Sequence, residues 1–191
     1  MENKTVRLKY EVKFLDYWHL SSGLSAGAKF DSMVVKDADG LPYLSGKTLK
    51  GLAREMAELL NDKMLISKCF GAEGVDMGAC YFSNATLPKE IADEIKEHSL
   101  QDRLYDEIAS TKIGQKEKEG ETEGIAVDNS LREIEVVVPL TLEGYIDDVP
   151  NDKYKEKMIE ALKMIKRMGL NRNRGLGRCE ICIEEVEKCE S

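Results

Sequence analysis

Two periodicities alternate along this chain, and their order restricts the fold more than any other feature. In residues 6–15, Val6, Leu8, Tyr10, Val12 and Phe14 alternate with Arg7, Lys9, Glu11 and Lys13. A period of two predicts a half-buried strand. Residues 45–60 switch to helical spacing through Leu49, Leu52, Ala53, Met56, Leu59 and Leu60, with Ser45 where an N-cap belongs. Residues 79–87 read as a strand. So do residues 131–146, where Ile134, Val136 and Val138 alternate with Glu133, Glu135 and Val137. Residues 154–168 carry Met158, Ile159, Leu162, Ile165 and Met168 on one side of a helix. Residues 179–186 form a last strand. Strand, helix, strand, strand, helix, strand is the α+β, ferredoxin-like βαββαβ order, also the scaffold of RNA-recognition modules.

Three segments interrupt that order, at about 21–44, 61–77 and 88–130. Residues 21–27 are small and glycine-rich. Residues 30–44 contain Asp39-Gly40 and Pro42 and read as a short hairpin. Residues 70–77 form a glycine-containing loop. Residues 88–98 and 100–110 read as short helices. Residues 111–129 are polar and charged, with Gly114, Gly120 and Gly124, and exceed a simple connection. They predict a functional loop or a long hairpin. There is no internal repeat, and residues 1–191 are expected to form one domain.

Net charge is 28 − 36 = −8, which by itself argues against a polyanionic partner. Its distribution says otherwise, because affinity for phosphates follows local charge. Residues 162–178 hold six bases (Lys163, Lys166, Arg167, Arg172, Arg174, Arg178) and no acid. Residues 44–54 hold Lys47, Lys50 and Arg54, again without an acid. The acids crowd into 117–123 and 184–190. No apolar run approaches the roughly 18 residues of a spanning helix, and the polar N-terminus has no signal peptide pattern. Five cysteines at irregular spacing do not make a disulfide framework. A cytoplasmic location with no membrane contact is the expectation.

Six motifs or residue sets are candidates for chemistry. Ser45-Gly46-Lys47-Thr48 ends like a phosphate loop, but the required glycine five residues earlier is Leu41, with Gly40 one place off register. The segment from Gly169 to Arg178 interleaves Gly169, Gly175 and Gly177 with Arg172, Arg174 and Arg178. Glycine admits close backbone approach and arginine pairs with phosphate, so this loop predicts phosphate binding. Cys179 and Cys182 form a CxxC, but on a strand they point to opposite faces. Cys69, Cys80 and His98 are the other residues that could gather at a metal, at spacing that is not diagnostic. His19 is a candidate general acid or base, against the more ordinary packing role. Tyr17 and Trp18 suit either a core or base stacking.

Four segments, in order, resemble the RAMP superfamily of CRISPR-associated proteins. Residues 20–27 followed by Phe30-Asp31-Ser32-Met33-Val34-Val35 are similar to its "iDspVv" region. Residues 41–54 are similar to "pYIPGSSLKGalR". Cys69-Phe70-Gly71 with residues 79–85 is similar to "lFG…i.fsDa". Residues 169–177 are similar to the "Gg.rsRGyG" loop. Within that family the resemblance points to the repeated backbone subunit of type III effector complexes. It implies a palm of ferredoxin-like fold with inserted thumb and lid segments. It implies guide (CRISPR) RNA held by Ser45, Lys47, Thr48, Lys50 and Arg54, and by Gly169, Arg172, Arg174, Gly175, Gly177 and Arg178. Residues 111–129, with Lys112 as a further RNA contact, would be the thumb. Target RNA, copies of the chain in a filament and other type III subunits are the implied partners. Asp31 would cut the target RNA with Mg2+. Two alternatives stand beside this reading: a structural subunit that does not cleave, and a guide-processing endoribonuclease working through a residue such as His19.

Overall fold

A computed structural model describes residues 5–21, 33–71, 77–111, 113–118, 121–126 and 132–186. The elements, in order, are β1 (Thr5–Phe14), α1 (Gly46–Leu59), α2 (Lys63–Leu65), β2 (Tyr81–Phe82), α3 (Lys89–Glu97), β3 (Tyr105–Ser110), β4 (Ile113–Lys118), β5 (Glu121–Ala126), β6 (Arg132–Val137), β7 (Thr141–Pro150), α4 (Asn151–Met164) and β8 (Cys179–Val186). A π-helical turn, Ile66–Phe70, follows α2, and a 3-10 turn, Gln101–Leu104, precedes β3.

The main sheet has the order β2-β7-β1-β8. Each neighbouring pair is antiparallel, so β1 and β2 run the same way with β7 between them. That split βαβ arrangement is the ferredoxin-like core. Leu8, Tyr10, Val12 and Phe14 of β1 are buried, as are Leu142 and Ile146 of β7 and Cys179 and Ile181 of β8. Against this face pack Leu49, Ala53 and Ala57 of α1 and Met158, Ala161 and Leu162 of α4. Ala53 and Ala57, four residues apart on one face of α1, let its axis lie close to its neighbours.

The opposite face of the sheet is a charged lattice. Lys9 pairs with Glu143 at 2.7 Å and with Glu11 at 3.4 Å. Arg7 pairs with Asp147 at 3.1 Å and lies over the Tyr145 ring. Glu180 and Glu184 of β8 are exposed. An RNA-recognition module stacks bases on this face; here Arg7 and Lys9 are already ion-paired, and the exposed Glu180 and Glu184 of β8 add negative charge.

Several sequence expectations need correction. The latter half of residues 100–110 is strand, not helix: β3 pairs with β6, Tyr105 opposite Val137 and Ser110 opposite Arg132. A separate antiparallel pair, β4–β5, with Ile113 opposite Ala126, lies between β3 and β6 in the sequence. A half-exposed strand has weak local signal, and cross-strand pairing overrides propensity. Residues 131–146 are two strands, broken around Pro139. Glu135 is buried rather than outward: its carboxylate pairs with Lys36 at 2.7 Å and accepts from the Val34 N–H at 3.2 Å. Residues 79–87 make only a two-residue strand plus isolated bridges at Ala85 and Thr86. Leu59, assigned to the buried side of α1, is 69% exposed. Helix α4 stops at Met164; Ile165 and Met168 reach the core from the extended segment that follows. No helix among the described residues is long and apolar enough to cross a membrane.

Candidate nucleic-acid interface

The two acid-free basic segments meet at one edge of the fold. Helix α1 begins at Gly46 because Ser45 is extended and because the Asn84 side chain, on the strand side, takes the Gly46 N–H at 2.9 Å. Ser45 therefore stands at the N-cap position without a side-chain capping bond of its own; Asn84 does that work from 38 residues away. A Cβ at Gly46 would lie 2.1 Å from the Phe82 carbonyl oxygen, so only glycine lets the helix start against β2. Lys47 and Thr48, in the first turn, are exposed.

The glycine–arginine loop is a tied structure. Its neck is a bridge between Arg167 and Arg178, flanked by Met168 N–H to Gly177 O at 2.9 Å and Cys179 N–H to Lys166 O at 2.9 Å. Two bonds fasten it to the end of the first strand: Leu170 N–H to His19 O at 2.9 Å, and Gly177 N–H to Tyr17 O at 2.8 Å. Gly169 and Gly177 adopt left-handed φ of 93° and 69°. A Cβ at either would meet His19 O at 2.3 Å or Met168 O at 1.9 Å. These two glycines are required by the chain's own packing. Gly175, also left-handed, faces open space.

A groove of about 350 Å³ joins the segments, with Ser45, Thr48 and Leu52 of α1 on one wall and Gly169 and Leu170 of the loop on the other. Leu20, Ser21 and Val35 complete its lining. Lys47 and Arg174 are exposed and Arg172 half-buried, and none enters an ion pair among the described residues. The remaining basic residues are differently placed. Lys50 and Arg54 lie on the other side of α1, donating to Cys80 O at 3.2 Å and Gly71 O at 3.4 Å, and Arg54 also pairs with Glu58. Arg178 sits 3.6 Å from the Asp16 carboxylate. Asp31 and Lys112 lie outside the described residues. The chain leaves the described structure after Ser21 and re-enters at Met33; Ser21 bridges Val34, and Val35 N–H bonds Leu20 O at 2.9 Å. Ser21 and Val35, beside the two ends of the segment carrying Asp31, thus both line the groove.

The other candidate chemistries resolve. His19 is fully buried, its Nδ1 2.6 Å from Glu135 O, so it packs and cannot meet an RNA strand. Trp18 is a core residue stacked on Phe14 at 4.3 Å. Tyr17 is partly exposed and bonds Asp106 at 3.0 Å. Cys179 is buried and Cys182 exposed, as strand alternation requires; burial pushes the Cys179 thiol up to about 12. Cys69 and Cys80 share a side-chain hydrogen bond, which holds Cys69 low and Cys80 high. His98 does not join them, and among the described residues no three His, Cys, Asp or Glu side chains gather around a point.

The RAMP superfamily model matches residues 11–180. Solved structures share the fold, among them the following three. A chain in the cryo-EM structure of type III-B Cmr-beta bound to cognate target RNA superposes with TM-score 0.69 at 19% identity. That match covers 96% of this chain and 61% of the other, so this chain spans about three fifths of that relative's length. A chain of type III-B Cmr-beta in its apo state gives 0.65 at 11% identity, covering 96% and 98%. Oligomeric Cmr4 from Pyrococcus furiosus gives 0.55 at 16% identity, covering 97% and 100%. No curated protein matches the sequence.

Proposed function

The chain belongs to the RAMP superfamily, and from that premise we propose that it is a guide-RNA-binding backbone subunit of a type III CRISPR effector complex. The observation that carries this reading is the meeting of the α1 N-terminus and the glycine–arginine loop at one groove, with Lys47, Arg172 and Arg174 in no ion pair among the described residues. The exposed Lys47 and Arg174, the half-buried Arg172 and an open Gly175 suit a phosphodiester backbone. Affinity is then dominated by phosphate contacts, nearly independent of sequence. The relatives of this fold include a complex bound to target RNA and an oligomer, which supports target RNA, copies of this chain and other effector subunits as partners.

Within that assembly Asp31 cleaves the paired target RNA. RNA supplies its own nucleophile, the 2′-hydroxyl, so the protein's task is to align that hydroxyl with the phosphorus and the leaving oxygen. Asp31 serves as base or as a carboxylate for Mg2+. The ion would be held by Asp31 and RNA phosphates, a usual mode for magnesium, and supplies charge neutralisation at the phosphorane. His19, buried as it is, gives the guide-processing alternative no support.

The test is target-RNA cleavage by the assembled guide complex with magnesium, wild type beside Asp31→Ala. The expected result is regularly spaced cuts that fall at least about a hundredfold in the variant, with guide binding unchanged. No cutting by either protein despite tight guide binding leaves a structural subunit and removes the nuclease assignment.

A further inference from the structure

We propose that Cys69 and Cys80 form a redox site, a buried dithiol that hydrogen peroxide closes reversibly to a disulfide, pinning the neck between the π-helical turn and β2. Cys69 lies in that turn, Ile66–Phe70, and Cys80 stands directly before Tyr81, the first residue of β2. Residues 70–79 separate them in the sequence, and the backbone brings them back together. Cys80 N–H donates to Cys69 O at 3.2 Å, and Ala79 N–H to Lys68 O at 2.8 Å. Gly78 makes this approach possible: a Cβ there would lie 2.4 Å from Gly71 N and 2.5 Å from Cys69 O. The side chains meet as well, through a hydrogen bond between the two thiols. A disulfide tolerates little misfit, and here it would form where backbone and sulfurs already touch.

The pair is asymmetric, as thiols that react in order must be. Lys50 of α1 reaches the same point, its Nζ donating to Cys80 O at 3.2 Å. The hydrogen bond from Cys80 holds Cys69 low, helped by the Lys50 charge. The same bond, with burial, holds Cys80 high. Cys69 is therefore the nucleophile and Cys80 the resolving thiol. The residues are 0% and 3% exposed, which favours an oxidant as small as hydrogen peroxide over a bulky one. The Cys69 thiolate attacks one peroxide oxygen, the O–O bond breaks, and hydroxide leaves a sulfenic acid on Cys69. That hydroxide takes the Cys80 proton and becomes water. The Cys80 sulfur then attacks the Cys69 sulfur, and the sulfenic oxygen departs as hydroxide, which is protonated to a second water. The two sulfurs lose two electrons and the peroxide gains them. A dithiol reductant reverses the bond by exchange. Asn84, which caps α1, lies four residues beyond Cys80, so the closed bond also steadies the segment that seats the helix.

The experiment treats the full chain with hydrogen peroxide, alkylates the remaining thiols after unfolding, and maps the peptides by mass spectrometry. The expected result is a Cys69–Cys80 link that dithiothreitol reverses, with a melting midpoint about 5 °C or more above that of the reduced chain. Cys80→Ser, its fold checked by circular dichroism, is expected to stop at a Cys69 sulfenic acid that dimedone traps, with no gain in midpoint. Both cysteines alkylated, with oxidation confined to the exposed Cys182, overturns the site, and that outcome is read on wild type without any variant. A Cys69–Cys80 link with an equal or lower midpoint means that the native neck does not fit the bond, and also overturns it.

Discussion

Replacing Lys47, Arg172 and Arg174 together by alanine lowers affinity for single-stranded RNA on the order of a thousandfold. Each charge-assisted phosphate contact contributes about 1.5–3 kcal/mol, or roughly tenfold and upward. The three are unpaired within the described structure, so their removal strands no partner and costs little stability. The mechanism has a second signature. Single-stranded binding loses about 0.7 of log–log salt slope per phosphate neutralised, so the triple variant's slope is shallower by about 2. A loss of affinity without a change in slope would mean that these residues act on the fold and not on phosphate. A control variant, Lys9→Ala on the ion-paired face of the sheet, is expected to leave both quantities unchanged.

Gly46→Ala and Gly51→Ala have opposite effects on stability, though both put alanine for glycine in the same helix. At Gly46 the new Cβ meets Phe82 O at 2.1 Å and Ser83 O at 2.6 Å, both backbone atoms. The helix start must move away from β2, which also strains the Asn84 cap. Overpacking against rigid backbone costs up to about 3 kcal/mol, and losing the cap adds about 1 kcal/mol. That is a large share of a net stability of roughly 5–15 kcal/mol. At about 2–4 °C per kcal/mol for a chain of this size, the midpoint drops by roughly 10 °C. At Gly51 the Cβ meets nothing within 4 Å, and helix propensity alone predicts a gain of about 0.8–1 kcal/mol. Thermal melts of the two variants beside wild type check both signs. RNA affinity of Gly46→Ala falls with stability, because the moved segment carries Lys47 and Thr48.

The core was legible from the chain where a period persisted. β1, α1, α4 and β8 were readable because each lays one face against the same core, leaving unbroken alternation or a continuous helical stripe. β3 was not, because Tyr105 and Ile108 are only half-covered and the strand exists through its pairing with β6. Glu135 was read as outward from its place in an alternating run. It turns inward because Lys36, 99 residues away, supplies the countercharge. At the site, local sequence identified the basic segments but not what shapes them. Asn84 capping α1 and the Tyr17 and His19 carbonyls fastening the loop are long-range contacts with no local signal. The glycines illustrate the same limit. Gly169, Gly175 and Gly177 look alike in sequence, yet two are demanded by the chain's own backbone and only Gly175 opens to a ligand. Lys50 and Arg54, equally basic, turn toward the carbonyls of Cys80 and Gly71.

Amide hydrogen exchange of the full chain, with and without single-stranded RNA, tests most directly where the RNA lies. The account predicts added protection in the first turn of α1 and in residues 169–178, with β1 and β8 unchanged. Protection confined to β1 and β8, with α1 and the loop unaffected, would put the RNA on the charged face of the sheet and contradict the interface described above.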